Sequence, residues 1–204
     1  MGLTRVPANL ITGFLGAGKT TVIRNLLAQR PRGARWAVLV NDFGRINLDD
    51  AVRDSDGGIA VREVAGGCIC CTAQVELRTA LVRLLREARP QRLLIELSGA
   101  GRPSATLNVL REKTIAAAIE MRAGLCVLDP LQFADPALGA RDDYLEQMVF
   151  ADILVINKSD VAGSGEMAKI REAAAKLAGR MAVVTAHGQI SATLLDAPAR
   201  GGMA

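Results

Sequence analysis

Gly13-Phe14-Leu15-Gly16-Ala17-Gly18-Lys19-Thr20 fills every fixed position of the phosphate-binding pattern G-x-x-x-x-G-K-S/T. Glycine-rich backbone can wrap closely round a phosphate and aim several N–H groups at it, and the lysine adds a point charge at the outer phosphates. The Thr20 hydroxyl falls where such loops ligate Mg²⁺. Ala8-Asn9-Leu10-Ile11-Thr12, just before it, is short, apolar and strand-like. Val22, Ile23, Leu26 and Leu27, just after it, repeat at helical spacing. The loop therefore joins a strand to a helix N-terminus, where backbone N–H groups and the helix dipole both favour an anion.

The alternation that starts here continues. Strand-like runs cover 7–12, 36–41, 59–65, 92–97, 124–129, 152–157 and 181–185, and helix-like stretches cover 18–30, 72–89, 104–121, 142–150 and 165–178. Leu93-Leu94-Ile95 and Leu125-Cys126-Val127-Leu128 are continuously apolar, as strands covered on both faces must be. The expected fold is a doubly wound α/β domain, a mostly parallel sheet with helices on both faces. It is expected to occupy residues 1–196, with 130–141 as a loop and 197–204 as a flexible tail rich in Pro and Gly.

Asp152-Ile153-Leu154-Val155-Ile156 reads as a buried strand, and Asn157-Lys158-Ser159-Asp160 at its C-terminal end matches N-K-x-D. A carboxylate at Asp160 can accept from both the ring N–H and the exocyclic amine of guanine. Adenine lacks that donor pair. Lys158 can lay its stem along the base and Asn157 can brace the loop. At a strand end of an open α/β sheet the pattern points to GTP or GDP as the ligand.

Gly66-Gly67-Cys68-Ile69-Cys70-Cys71 holds three of the four cysteines. Three thiolates from one turn form a soft-metal site suited to Zn²⁺ or a similar ion. The fourth, Cys126, sits mid-strand among Leu125, Val127 and Leu128 and reads as core. No apolar run reaches membrane-spanning length and the N-terminus is not built like a signal peptide, so a cytoplasmic protein with no membrane contact is expected. The net charge of +4 and the 3% aromatic content give no basic, aromatic-studded surface, so no nucleic-acid partner is expected.

These segments together resemble the CobW-like metal-chaperone GTPases. Thr12–Thr21 is similar to the family's T-G-F-L-G-A-G-K-T-T, Asn41-Asp42-Phe43-Gly44 to its switch segment, and Gly67–Cys71 to G-C-I-C-C. Glu96-Leu97-Ser98-Gly99 and Asn157–Asp160 follow in the family's order. The resemblance implies slow GTP hydrolysis, a Zn²⁺ or Co²⁺ cargo and a client metalloprotein. It implies Gly13, Gly16, Ala17, Gly18, Lys19, Thr20 and Thr21 on the phosphates, and Thr20 with Glu96 on Mg²⁺. Asp49 and Gly99 would then face the terminal phosphate, Asn157, Lys158, Asp160, Thr185 and Ala186 the guanine, and Cys68, Cys70 and Cys71 the cargo metal. His187, the only histidine, is a minor contributor to the base loop.

The chain departs from the family pattern in three ways. Asp42 and Arg45 stand where the family usually has Glu, and a cation at Arg45 works against a nearby divalent ion by direct repulsion. Arg102 replaces the usual acid before Pro103. The second, C-terminal domain usual in the family is not expected within these 204 residues, which leaves open a single-domain member, a truncated chain or a second half on a separate chain, with a homodimer or a separate C-terminal-domain chain as partners. A nickel-type maturation GTPase, a small-molecule kinase on the same loop, and a non-hydrolysing nucleotide-binding scaffold are the alternatives.

Overall fold

The structure is a computed structural model that describes residues 5–41, 58–64, 71–99, 103–139, 141–176 and 180–200. Its strands are β1 (Val6–Thr12), β2 (Trp36–Asn41), β3 (Ile59–Glu63), β4 (Arg92–Leu97), β5 (Ile119–Met121), β6 (Leu125–Leu128), β7 (Ile153–Ile156) and β8 (Met181–Val184). Its helices are α1 (Lys19–Ala28), α2 (Cys71–Ala88), α3 (Pro103–Leu110), α4 (Lys113–Ala116), α5 (Pro130–Ala134), α6 (Pro136–Gly139), α7 (Asp142–Phe150) and α8 (Ser164–Lys176). A 3₁₀ turn follows at Ala192–Asp196.

The sheet runs β3-β2-β4-β1-β6-β7-β8, with β5 also beside β1, and the paired strands are parallel. β1 lies between β4 and β6, so the strand order reverses at its C-terminal end. That reversal opens the crevice where sheets of this kind hold ligands, and the phosphate loop leaves β1 at that point.

Strand period two sorts the side chains. Ile11, Val38, Val40, Leu94, Val127 and Val155 face α1, whose Val22, Ile23, Leu26 and Leu27 form the matching stripe. Leu10, Leu39, Leu93 and Ile95 face the other way, against Leu77, Leu81 and Leu84 of α2 and Leu107 and Leu110 of α3. On that same face Cys126, Leu128, Leu154 and Ile156 meet Tyr144 and Met148 of α7 and Ile170 and Ala174 of α8. Each fully buried aliphatic side chain contributes about 1.5–3 kcal/mol. The same alternation puts Glu96, two residues after Leu94, on the α1 face.

Two stretches differ from the sequence expectation. The helix expected over 104–121 is broken: α3 stops at Leu110, Glu112 accepts from the Ile115 and Ala116 N–H groups to start the short α4, and Ile119–Met121 is a strand. Val6–Ala8 leave one side of β1 to be paired, and Ile119–Met121 fill it in parallel register. The Arg78 guanidinium grips both carboxylate oxygens of Glu112 and ties the break to α2. The loop expected over 130–141 holds α5 and α6. Asp129 accepts from the Leu131 N–H (2.9 Å) and Asp135 from the Ala137 N–H (2.9 Å), each just before a proline that starts the helix.

The expected tail is anchored as far as Arg200. The Ala123 N–H donates to Ala197 O (2.9 Å) and the Arg200 N–H to Asp152 Oδ1 (2.9 Å), while residues 201–204 lie outside the described residues. The 3₁₀ turn is fixed from below by buried Asn9, whose amide donates to Ala123 O and Leu195 O, and by Arg92, which pairs with Asp196.

Cys126 is fully buried in β6, and that burial pushes its thiol up to about 12, against a smaller opposing pull from the Lys19 ammonium. A raised pKa means the reactive thiolate forms only well above neutrality; at pH 8 it amounts to about one part in 10⁴. Iodoacetamide at pH 8 is therefore expected to leave Cys126 unmodified in the native protein and to label it after denaturation, as peptide mass mapping would read. Native labelling of Cys126 would contradict its place in the core.

Candidate nucleotide site

The phosphate loop spans Gly13–Gly18, between β1 and α1. Gly18 precedes the helix with φ +103°, a conformation that favours glycine, and a side chain there would run into the Asn157 amide. The Ala17 N–H closes the loop on Phe14 O (3.2 Å), and the Val22 N–H bonds to Gly18 O (3.0 Å). No side chain caps the start of α1, so its first-turn N–H groups are presented to a ligand. Lys19 is 5% exposed and its ammonium arches back over the loop to donate to Phe14 O at 3.3 Å. Thr21 lies on the exposed side of α1.

Thr20 Oγ1 stands 3.2 Å from Glu96 Oε1. Glu96 is 2% exposed and reaches α1 because of its strand register, in which Ile11 pairs with Glu96. A hydroxyl and a buried carboxylate side by side beneath a phosphate loop are hard oxygen donors, and this chemistry fits Mg²⁺. Gly99, two residues beyond β4, is buried and packs on the loop: a methyl group there would lie 2.5 Å from the Leu15 nitrogen.

The N-K-x-D segment is knitted to the loop by Asn157. Its side chain is buried, donates to Ala17 O (3.0 Å) and accepts from the Gly188 N–H (2.8 Å). One residue thus holds the phosphate loop, the end of β7 and the loop after β8 together. Lys158 takes φ +55°, and its ammonium pairs with Asp129 Oδ2 at 2.8 Å. The Ser159 N–H donates to Thr185 O (3.2 Å). Buried Thr185 turns its hydroxyl onto Gln189 O (2.6 Å), and half-buried Ala186 follows it. Asp160 keeps a third of its side chain exposed, with exposed His187 Nε2 3.7 Å from its Oδ2.

Several contacts come from residues the sequence did not single out. Asp129 caps α5 and fixes Lys158; Gln132 donates to Leu15 O (2.7 Å); Gln147 joins β1 to Gly99. The first was legible in Asp129-Pro130, a cap followed by a proline. The last was legible as a glutamine in the buried stripe Tyr144, Gln147, Met148 of α7.

Asp42, Arg45, Asp49, Cys68, Cys70 and Arg102 lie outside the described residues, and Cys71 opens α2. Among the described residues no group of three or more His, Cys, Asp or Glu forms a metal cluster. Nor does any described helix have the length and apolarity to cross a membrane.

The family model for the CobW/HypB/UreG nucleotide-binding domain matches residues 7–185. Zinc chaperone YeiR of Escherichia coli (strain K12) is 40% identical over 193 residues, covering 94% of this chain and 58% of that protein. Zinc chaperone YjiA of the same organism is 32% identical over 196 residues, covering 93% of this chain and 60% of that protein. The chain thus spans about six-tenths of the length of these relatives. The crystal structure of Zn(II)-bound YjiA GTPase from E. coli matches with a TM-score of 0.67 at 25% identity, over 94% of this chain and 61% of that chain. HypB from Helicobacter pylori in complex with nickel, at 17% identity and a TM-score of 0.61 over 93% of this chain and 82% of that one, shares the fold.

Proposed function

The chain belongs to the CobW/HypB/UreG nucleotide-binding family, and on that premise we propose that it binds GTP, hydrolyses it slowly to GDP and phosphate, and uses the cycle to load or release Zn²⁺ or Co²⁺ for a client metalloprotein in the cytoplasm. The observation that carries the nucleotide half is Asn157, which fastens the guanine-reading segment to the phosphate loop through Ala17 and to the last loop through Gly188.

In this reading the amides of Gly13, Gly16, Ala17 and Gly18, with Thr21, cradle the phosphates and Lys19 neutralises the outer ones. Asp160 reads the guanine edge, Lys158 lies along the ring with its ammonium held by Asp129, and Thr185 and Ala186 close the base pocket. Thr20, with Glu96 beside it, would hold Mg²⁺, which would supply positive charge to the phosphates. Water attacks the γ-phosphorus, the bridging oxygen departs with GDP, and Lys19 and the loop amides stabilise the charge shifting onto it. In this reading Gly99, packed on the loop, offers its N–H to the terminal phosphate, and Asp49 serves the switch.

Relatives named zinc chaperones support the metal half, with Cys68, Cys70 and Cys71 as its ligands. The stems of that cysteine segment belong to the same sheet edge as the nucleotide. Val40 of β2 pairs with Glu96 on one side and with Glu63, the last residue of β3, on the other. At strand spacings near 4.8 Å, the backbone that leads to the cysteines starts about 10 Å from the Mg²⁺ carboxylate's own strand.

Single-turnover phosphate release separates this reading from a kinase or a scaffold. The wild-type protein with Mg²⁺ should release phosphate slowly from GTP without any second substrate, and bind ATP far more weakly. Equal use of ATP, or bound GTP that stays intact, would sink it.

A further inference from the structure

Gln147 sits in the middle of α7 and is 1% exposed, yet both ends of its amide are engaged in the nucleotide crevice. Its oxygen accepts from the Gly13 N–H at 2.7 Å and from Thr12 Oγ1 at 3.0 Å, and its nitrogen donates to Gly99 O at 3.1 Å. The orientation of the amide is unambiguous. A backbone N–H can only donate, so oxygen must face Gly13; a carbonyl can only accept, so nitrogen must face Gly99. The two lone pairs of the oxygen are both used on the β1 side, and the Gly99 side depends on the amine alone.

The rest of α7 supports the same grip. Tyr144, one turn earlier, meets the Phe14 ring edge-on with centroids 5.6 Å apart, and the Arg141 guanidinium lies over that ring at 5.3 Å. Glu146, the neighbour of Gln147, accepts from the Ser104 N–H at 3.3 Å. One helix therefore touches the start of the phosphate loop, its projecting Phe14, and both ends of the 99–104 segment. Gly99 itself has no room to drift inward, since even a methyl there would meet the Leu15 backbone.

We propose that Gln147 is a positioning residue: its amide nitrogen sets where Gly99 stands over the phosphate loop, and so distinguishes a bound nucleoside triphosphate from a diphosphate. The inference rests on the guanine-nucleotide reading above. A diphosphate needs the loop, Lys19 and the base pocket, none of which depends on Gly99. A terminal phosphate must in addition meet Gly99 at the right height, and that height is held from outside by α7. A merely structural Gln147, satisfying buried backbone groups, would affect both nucleotides and the fold alike.

Two variants separate these roles. Gln147→Met keeps the approximate volume and removes every hydrogen bond. Gln147→Glu keeps an acceptor for Gly13 and Thr12 but turns a second oxygen on Gly99 O. When protonated it can donate there again, and burial raises the pKa of such a carboxyl. Fluorescent GDP and a non-hydrolysable GTP analogue are titrated against each variant and the wild type at about pH 5.5 and about pH 8.5, values that straddle a raised carboxyl pKa, with thermal unfolding alongside.

For Gln147→Glu, which keeps the acceptor for Gly13, the expected result at the higher pH is a loss of about tenfold or more in affinity for the GTP analogue, with GDP affinity little changed. Gln147→Met, which also frees Gly13, should weaken both nucleotides, and the GTP analogue by about tenfold more than GDP. At the lower pH, Gln147→Glu alone should move back towards the wild type. Should Gln147→Met fail to fold, the pH-dependent ratio in Gln147→Glu decides the matter. Wild-type affinities in the variants, or equal losses for both nucleotides with no recovery at low pH, overturn the proposal and leave the guanine-nucleotide reading standing. A wild-type protein that binds neither nucleotide overturns both.

Discussion

Lys19→Ala is expected to lower single-turnover GTP hydrolysis by about 10²–10³-fold, the size of effect seen when one pre-aimed donor is removed from a developing charge. The Lys19 ammonium is already drawn over the phosphate loop, 3.3 Å from Phe14 O, and is 5% exposed. It therefore needs little reorganisation to meet phosphate oxygens that gain charge as the γ-bond breaks. Its stem leaves α1 at the helix's first residue and ends on the phosphate-loop backbone, not on the leucines of the two helical layers. Removing a cation from so poorly hydrated a place relieves desolvation as well as losing a contact, so thermal unfolding should change little. Rapid-quench kinetics and a melting curve on the same preparation check both halves. Wild-type turnover in the variant would assign the activity to another site.

Asp160→Asn is expected to exchange guanine for xanthine. In the proposed site the carboxylate would accept two N–H groups from guanine, and losing a charge-assisted pair of this kind costs about 1.5–3 kcal/mol, or roughly 10–150-fold in GTP affinity. Xanthine carries an oxygen where guanine carries the exocyclic amine, and the new amide can donate to it, so xanthosine triphosphate should gain affinity. The surroundings favour a clean exchange. Asp160 is partly open to ligand, its neighbour Lys158 is held by Asp129 and not by Asp160, and Asn157 braces the loop independently. Competition of GTP, xanthosine triphosphate and ATP for a fluorescent nucleotide reads the result. An Asp160→Asn protein that still prefers GTP would remove Asp160 from the base site.

The sheet was legible because its central strands carry an uninterrupted signal. Leu93-Leu94-Ile95 and Ile153–Ile156 are apolar on both faces, as only strands between two helical layers can be. The phosphate loop then fixed which strand is β1. Helix spacing misled at 104–121, where the apolar residues of Ile119–Met121 serve a strand whose need arises only from the unpaired edge of β1, a tertiary demand absent from local pattern. At 130–141 the reverse held. Asp129-Pro130 and Asp135-Pro136 each spell a cap and a helix start, and the abundance of Pro and Asp read instead as loop.

The site divides in the same way. Lys19, Thr20, Glu96 and Asn157 belong to recognisable motifs, and the Thr20–Glu96 and Asn157–Ala17 bonds each join one such motif to another. Asp129 and Gln147 act across the fold, over separations of 29 and 134 residues, and nothing near them in the sequence names their partners.

Zinc affinity measured by competition with a calibrated chelator, first with GDP and then with a Mg²⁺-bound non-hydrolysable GTP analogue, tests most directly whether one nucleotide cycle governs one metal. In the proposed reading Cys68, Cys70 and Cys71 must deprotonate and converge to hold the ion, and their segment follows β3, which pairs with β2, the neighbour of the strand that carries Glu96. The expected outcome is one zinc per chain, bound more tightly with the GTP analogue by a coupling of about 1–3 kcal/mol, with the metal tightening the analogue by the same factor. Changing Cys68, Cys70 and Cys71 together to Ser should abolish the metal and the coupling while GTP binding in metal-free buffer stays intact. Equal zinc affinity in the two nucleotide states, or a zinc site that survives the loss of all three thiols, would contradict it.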